Sequence, residues 1–153
     1  MIGLIQRVSS ASVATGGRVL GSIDHGLVAL IAVQRGDRSA QVARLVERLL
    51  AYRVFEDKQG KMNLDLTQVN GGMLLVPQFT LAADTGKGNR PSFTRAADPE
   101  HGKALYDELV TTAKSLWNKV ETGEFGANMS VSLVNQGPVT FWLEVRPQGT
   151  PDD

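Results

Sequence analysis

Cysteine is absent from the 153 residues, which removes disulfide staples, thiolate nucleophiles and thiolate zinc sites from the chemistry open to the chain. Net charge is absent too. The 16 Lys and Arg balance 16 Asp and Glu, so no broad basic field exists to grip duplex phosphates, although a small local contact with a nucleic-acid end is not excluded. Histidines number only two: His25 falls in a turn and His101 in the first turn of a helix, and both read as solvated residues rather than as a base beside a nucleophile. Without cysteine, an HExxH motif or carboxylates at ligand spacing, no bound metal is expected. Long apolar runs are also missing. The longest, Leu27 to Val33, falls far short of the roughly 20 residues that cross a bilayer. The N-terminus lacks a basic-then-apolar secretory signature. The expectation is a soluble, cytoplasmic protein with no membrane partner.

What is present suits one folded domain: 42% apolar and 21% charged residues, in a length that buries about 70% of the unfolded surface. Met1 to Val13 alternates, with Ile2, Leu4, Gln6 and Val8 on one face. Thr15-Gly16-Gly17 then supplies a tight turn into a strand from Arg18 to Ile23. After Asp24-His25-Gly26, the unbroken run Leu27 to Val33 reads as a strand covered on both faces. From Ser39 the period changes. Val42, Leu45, Val46, Leu49 and Leu50 recur at helical spacing with Arg44, Glu47 and Arg48 between them, an amphipathic helix whose apolar stripe must lie on the sheet.

Val54-Phe55 reads as a short strand, and Asn70-Gly71-Gly72 introduces an apolar stretch from Met73 to Leu81. Ala82 to Arg95 is an irregular, basic loop, mobile by its composition, that can touch nucleic-acid phosphates. Its Gly86-Lys87 is not a P-loop, because Leu81 stands where that motif needs glycine. Asp98 is placed to cap a second helix with Pro99 at its first position and a stripe of Leu105, Leu109, Leu116 and Trp117. Met129 to Val134 and Val139 to Val145 both alternate, so Asn135-Gln136-Gly137-Pro138 is expected to join them as a hairpin. The segment 147–153 is expected to be a loose tail. No internal repeat is present, and the order of elements gives an α+β fold with helices on one side of a sheet.

Two segments invite a functional reading. In Pro77-Gln78-Phe79-Thr80-Leu81 an amide and a hydroxyl end a buried strand and need partners or a ligand. In Asn135-Gln136-Gly137-Pro138-Val139-Thr140 a glycine allows close approach to the backbone, and the proline can hold an unusual peptide geometry. From the residues alone, a plain hairpin turn is the preferred reading of the second segment.

Together with Ile5-Gln6-Arg7-Val8, Gly60-Lys61-Met62-Asn63-Leu64, Arg90-Pro91-Ser92-Phe93 and Ala104-Leu105-Tyr106, these motifs resemble D-aminoacyl-tRNA deacylases in order and spacing over nearly the whole chain. The resemblance implies a single deacylase domain over 1–146: a mainly antiparallel or mixed sheet, or partly open barrel, with two helices packed on one side. It implies a cofactor-free enzyme that cleaves the ester between a D-amino acid and the 3′ end of tRNA, and also glycyl esters mischarged on alanine tRNA. It implies a homodimer with its sites at the interface. Gln78, Phe79 and Thr80 are then the catalytic segment. Gly137 and Pro138, joined by a cis bond, with Asn135 and with Arg7 as their anchor, provide chiral selection, while Phe125 and Met129 either contact the terminal nucleotide or ester or serve as core.

A rigid main-chain obstacle is a physically sound way to reject one enantiomer, since most attractive contacts are shared by mirror forms. For the chemical step two routes are open. Thr80 can act as nucleophile, but its motif offers no histidine or lysine to activate it. Alternatively, the 2′-hydroxyl of the terminal ribose assists water while backbone N–H groups at Phe79 and Thr80 hold the oxyanion, and this route is preferred. The family usually has serine where this chain has Pro77. An active enzyme is the preferred expectation; the substitution motivates one alternative, a nucleic-acid-binding module without hydrolysis, and a general esterase is a separate third.

Overall fold

The computed structural model describes residues 1–149. Its centre is one long strand, β1 (Ile2–Thr15). Antiparallel β3 (Gly26–Ala32) pairs with its first half, and antiparallel β2 (Arg18–Ile23) with its second half. The sheet continues in parallel through β6 (Gly72–Pro77) to β7 (Val120–Thr122), in the order β2-β1-β3-β6-β7. β3 and β6 start so close together that a Cβ on Gly26 would lie 1.9 Å from the Gly72 carbonyl oxygen, an approach open only to glycine. At the far side β2 bends back toward β7, where a Cβ on Gly21 would lie 3.1 Å from the Thr122 carbonyl oxygen. The mixed sheet is therefore nearly barrel-shaped.

Helix α1 (Ser39–Ala51) forms where the period of 3.6 predicts it, burying Val42, Leu45, Val46 and Leu49. Each such side chain contributes about 1.5–3 kcal/mol relative to exposure. Gln41 closes the first turn by accepting the Arg38 N–H at 2.9 Å. Helix α2 (Pro99–Leu116) is capped by Asp98, whose carboxylate accepts the His101 N–H at 3.0 Å. Leu105, Tyr106, Leu109 and Ala113 face the core. Both helices pack on one face of the sheet over the main core, while Val8, Ala11, Val13, Ile23, Val28, Leu74 and Val76 form a smaller core on the other.

Several local expectations are corrected. Asn135–Pro138 joins no hairpin: residues 130–144 form one strand, β8 (Ser130–Glu144), antiparallel to β1 throughout. Both flanks obey the alternation rule because both lie on the same long partner. Between the pairs Gln6↔Thr140 and Val8↔Asn135, β1 advances two residues while β8 advances five, so residues 136–139 stand out as a wide bulge. The stretch from Met73 stops being a strand at Pro77, and Phe79–Ala82 winds into a short 3₁₀ helix. The loop after it is partly organised by backbone bonds between Asp84 and Ser92. Leu116 is 61% exposed, and Trp117, just beyond α2, donates its indole N–H to the Gly71 carbonyl at 2.9 Å. β4 (Phe55–Glu56) gains an unforeseen antiparallel partner, β5 (Met62–Leu64), and β7 too was unforeseen. His101 is not simply solvated, since its Nε2 contacts the Asp37 carbonyl at 2.8 Å. Of the expected loose tail, residues 147–149 are outside any helix or strand and 150–153 lie outside the described residues.

Candidate active site

A cavity of about 570 Å³ opens where the end of β6, the start of α2 and the 125–129 loop converge. Pro77, Gln78 and Phe79 form one wall, Gly102 and Tyr106 of α2 a second, and Phe125 and Met129 a third. Gln78, Phe79, Phe125 and Met129 thus meet as the sequence suggests. Tyr106, Gly102 and Phe93 were not foreseen at this wall. The signal available for Phe93 and Tyr106 was their place in the Arg90-Pro91-Ser92-Phe93 and Ala104-Leu105-Tyr106 motifs.

The Gln78 backbone N–H donates to Ile31 O at 2.7 Å, extending the β3–β6 ladder by one bond. The chain then turns, and Leu81 N–H donates to Gln78 O at 3.2 Å and Ala83 N–H to Thr80 O at 3.1 Å. Phe79 and Thr80 therefore supply the first donors of a 3₁₀ turn, which have no earlier carbonyl of that turn to pair with. The Thr80 hydroxyl is exposed, and the side-chain amide of Gln78 donates to it. A carboxamide is neither acid nor base at ordinary pH, so this contact orients the hydroxyl without activating it.

Asp98 also lines the cavity, but its carboxylate accepts the His101 N–H at 3.0 Å as the cap of α2; Tyr106 and Met129 are held in other ways. The Tyr106 hydroxyl donates to Leu75 O at 3.0 Å, and burial pushes its phenol well above the usual value, which keeps it neutral. Met129 is fixed by a 3.3 Å contact from the Glu124 N–H to its sulfur. Among the described residues no group of three or more His, Cys, Asp or Glu could hold a metal ion, and no helix is long and apolar enough to cross a membrane.

Pro77 causes no visible defect. Along β6, Met73 donates to β7-side Lys119 O and Gln78 to β3-side Ile31 O, so the missing Pro77 donor faces the β7 side. The ladder there ends with Gly123 N–H to Leu75 O at 2.8 Å. Proline sits where a strand edge runs out.

Arg7, Asn135, Gly137 and Pro138 make a second cluster, at the β8 bulge and outside the lining of that cavity. Arg7 is 8% exposed. Its Nε donates to Gln136 O at 3.0 Å and its Nη1 to Val54 O at 2.8 Å. Asn135 braces the bulge from within: its Oδ1 accepts the Val139 N–H at 2.7 Å and its Nδ2 donates to Thr140 Oγ1 at 2.9 Å. Gly137 has φ +140°, and a Cβ there would lie 2.6 Å from a Val139 methyl, so only glycine fits. The Gly137–Pro138 bond is cis. Residues 136–138 are exposed, so this hydrogen-bonded stretch of backbone faces outward within a single subunit.

The family described as D-Tyr-tRNA(Tyr) deacylase matches residues 4–144. The chain is 63% identical over 147 residues to a D-aminoacyl-tRNA deacylase of Thioalkalivibrio sulfidiphilus (strain HL-EbGR7), covering 96% of this chain and 99% of that protein. It is 59% identical over 153 residues to a D-aminoacyl-tRNA deacylase of Ralstonia nicotianae (strain ATCC BAA-1114 / GMI1000), with coverage of 97% and 92%. Among solved structures, the c-Myc DNA Unwinding Element Binding Protein superposes with a TM-score of 0.91 at 33% identity, covering 96% of this chain and 100% of that one. A second, described as "a probable eukaryotic D-amino acid tRNA deacylase", has a TM-score of 0.80 at 16% identity over 94% and 98% of the two chains, a likeness of fold.

Proposed function

The chain belongs to the D-Tyr-tRNA(Tyr) deacylase family, and we propose that it is a hydrolase that cleaves the ester of D-aminoacyl-tRNA, releasing free tRNA and the D-amino acid. The observation that carries this reading is the wall formed by Gln78 and Phe79, where the first donors of the 3₁₀ turn adjoin a cavity lined by aromatic and apolar side chains.

Chemically, the site is poor in acids and bases. Thr80 has a carboxamide as its partner, which cannot take its proton, so a threonine nucleophile lacks activation. The better route leaves proton movement to the substrate. The 2′-hydroxyl beside the ester assists the attacking water, and the Phe79 and Thr80 N–H groups stabilise the oxyanion, a contribution worth about 2.7–4 kcal/mol per donor in comparable sites.

Selection against L-amino acids falls to the bulge at 136–138. It lies outside the cavity of its own subunit and is held by the Arg7 bond to Gln136 O and three bonds involving Asn135, while Arg7 is itself fixed by Val54 O. In a homodimer it would enter the partner's cavity, where its main-chain oxygens occupy the space an L side chain needs and receive the substrate ammonium. Glycyl esters, including those mischarged on alanine tRNA, carry no side chain to collide and are cleaved as well. Phe125 and Met129 then contact the terminal nucleotide.

The test offers D-tyrosyl-tRNA and L-tyrosyl-tRNA to the purified protein in parallel. Fast release from the D form alone is expected. Comparable release from both, or cleavage of small esters lacking ribose, overturns the reading.

A further inference from the structure

The segment between the 3₁₀ turn and α2 is built as an arm. Asp84 and Ser92 exchange backbone hydrogen bonds of 2.7 and 3.0 Å, and the Asp84 carboxylate accepts the Gly86 N–H at 2.9 Å, which ties this acid to the arm's own backbone. From Thr85 to Arg95 the arm carries Lys87, Arg90 and Arg95 and no acid, in a chain whose net charge is zero. Its base is tied to the body of the fold, where the Arg35 backbone N–H donates to Arg95 O at 2.9 Å.

Phe93 lies just beyond the ladder, 41% exposed, against Phe79, which is 55% exposed. The rings are 5.1 Å apart and tilted by 54°, and both border the cavity. An exposed aromatic pair beside a run of cations with no acid is the combination that holds single-stranded nucleic acid: flat faces for bases, positive charge for the phosphates between them.

We propose that the arm docks the single-stranded 3′ end of the tRNA upstream of its terminal nucleotide. Phe93 stacks on the base next to the terminal one, and Lys87 and Arg90 contact the phosphates that lead away from it. The proposal rests on the deacylase reading and assigns a task to the Arg90-Pro91-Ser92-Phe93 motif.

The experiment compares D-tyrosyl-tRNA with 3′-O-D-tyrosyl-adenosine, which keeps the ester and ribose but has no phosphate and no second base. A Lys87→Ala/Arg90→Ala double variant should lose about tenfold in kcat/KM on the tRNA, and its log kcat/KM should fall less steeply with log salt, by about 0.7 per lost phosphate contact. Hydrolysis of the adenosine ester should not change.

In a second arm, binding of an uncharged single-stranded RNA ending in C-C-A is followed by fluorescence anisotropy. Phe93→Leu should weaken it about tenfold, in line with the loss of one base–aromatic stack, and Phe93→Trp should restore it. Equal losses on both substrates by the double variant, an unchanged salt slope, or unaltered oligonucleotide binding by Phe93→Leu would each overturn the proposal, as would dissociation of an oligomer in either variant. If the wild type cleaves neither substrate, the deacylase reading fails by itself, and the oligonucleotide measurement still decides the arm.

Discussion

Replacing Arg7 by methionine tests how the β8 bulge is held. Methionine keeps the length and apolar stem but removes both donors, leaving Gln136 O and Val54 O without the guanidinium that now lies 3.0 and 2.8 Å away. Hydrogen bonds from a charged donor contribute about 1.5–3 kcal/mol each. The losses differ in kind: Gln136 is exposed and its carbonyl can turn to water, whereas Val54 is only 1% exposed and its carbonyl stays unpaired. The ion pair to Glu56, 3.9 Å away with that carboxylate 58% exposed, adds little. Better burial of the methionine offsets part of the loss. A net destabilisation of about 3 kcal/mol is expected, lowering Tm by about 6–12 °C in a domain of this size, measured at fixed protein concentration. If the bulge provides the chiral selection, the D/L ratio of kcat/KM on tyrosyl-tRNA should fall by a larger factor than kcat/KM on the D form alone. Arg7→Lys, retaining the charge with its donors on a single nitrogen, should lie between the two. A Tm within about 2 °C of the wild type, together with an unchanged D/L ratio, would refute the anchoring role.

Thr80→Ala should keep most of the hydrolysis, while a D-aminoacyl-tRNA ending in 2′-deoxyadenosine should be cleaved poorly; the reverse pair of results in a single-turnover assay would make Thr80 the nucleophile. Gly102→Ala should raise Tm, because alanine inside a helix is favoured over glycine by about 1 kcal/mol and the nearest neighbour of the added Cβ is a Phe125 ring carbon at 3.4 Å. The same methyl narrows the cavity, so KM should rise. Pro77→Ser should leave both Tm and hydrolysis close to the parent, since the restored donor faces the end of a ladder; strong activation would show that the proline is a defect. The Asp98 carboxyl is held below its ordinary value of 3.8 by the His101 N–H it accepts. Its folded value is depressed, so its contribution to α2 is complete above that ordinary value and is lost as pH falls through the lowered one. Asp98→Ala should therefore lower Tm at neutral pH, and the gap should close in acid, as followed by circular dichroism.

Both helices were legible because their signals are local. Leu45 and Leu49 keep the helical period, and Asp98-Pro99 marks a start. The run Leu27 to Val33 likewise announced a strand covered on both faces. What could not be read depends on partners distant in the chain. Asn135-Gln136-Gly137-Pro138 has the composition of a turn, and only its pairing with residues 6–8, more than 120 positions away, makes it a bulge. β5 and β7 are three residues each, too short to display a period. At the site, Gln78, Phe79, Phe125 and Met129 were identified by motif, but Phe93 and Tyr106 became wall residues only because three separate chain segments end at one place. For Arg7 the resemblance pointed to the Gly137-Pro138 segment, while its bond to Val54 O had no signal in the sequence.

Because Ile2 pairs with Glu144 and Ala14 with Ser130, the first strand made is bordered along one whole edge by the last. A ribosome delivers residues in order, at about 5–20 per second, so that edge stays open for several seconds while the rest of the chain emerges. Contacts this remote in sequence also slow the search for the native arrangement. The newborn protein thus passes through an interval in which its central strand is available to any passing extended segment, and shortening that interval, or shielding it with a chaperone, should improve the yield of folded enzyme more than strengthening either helix.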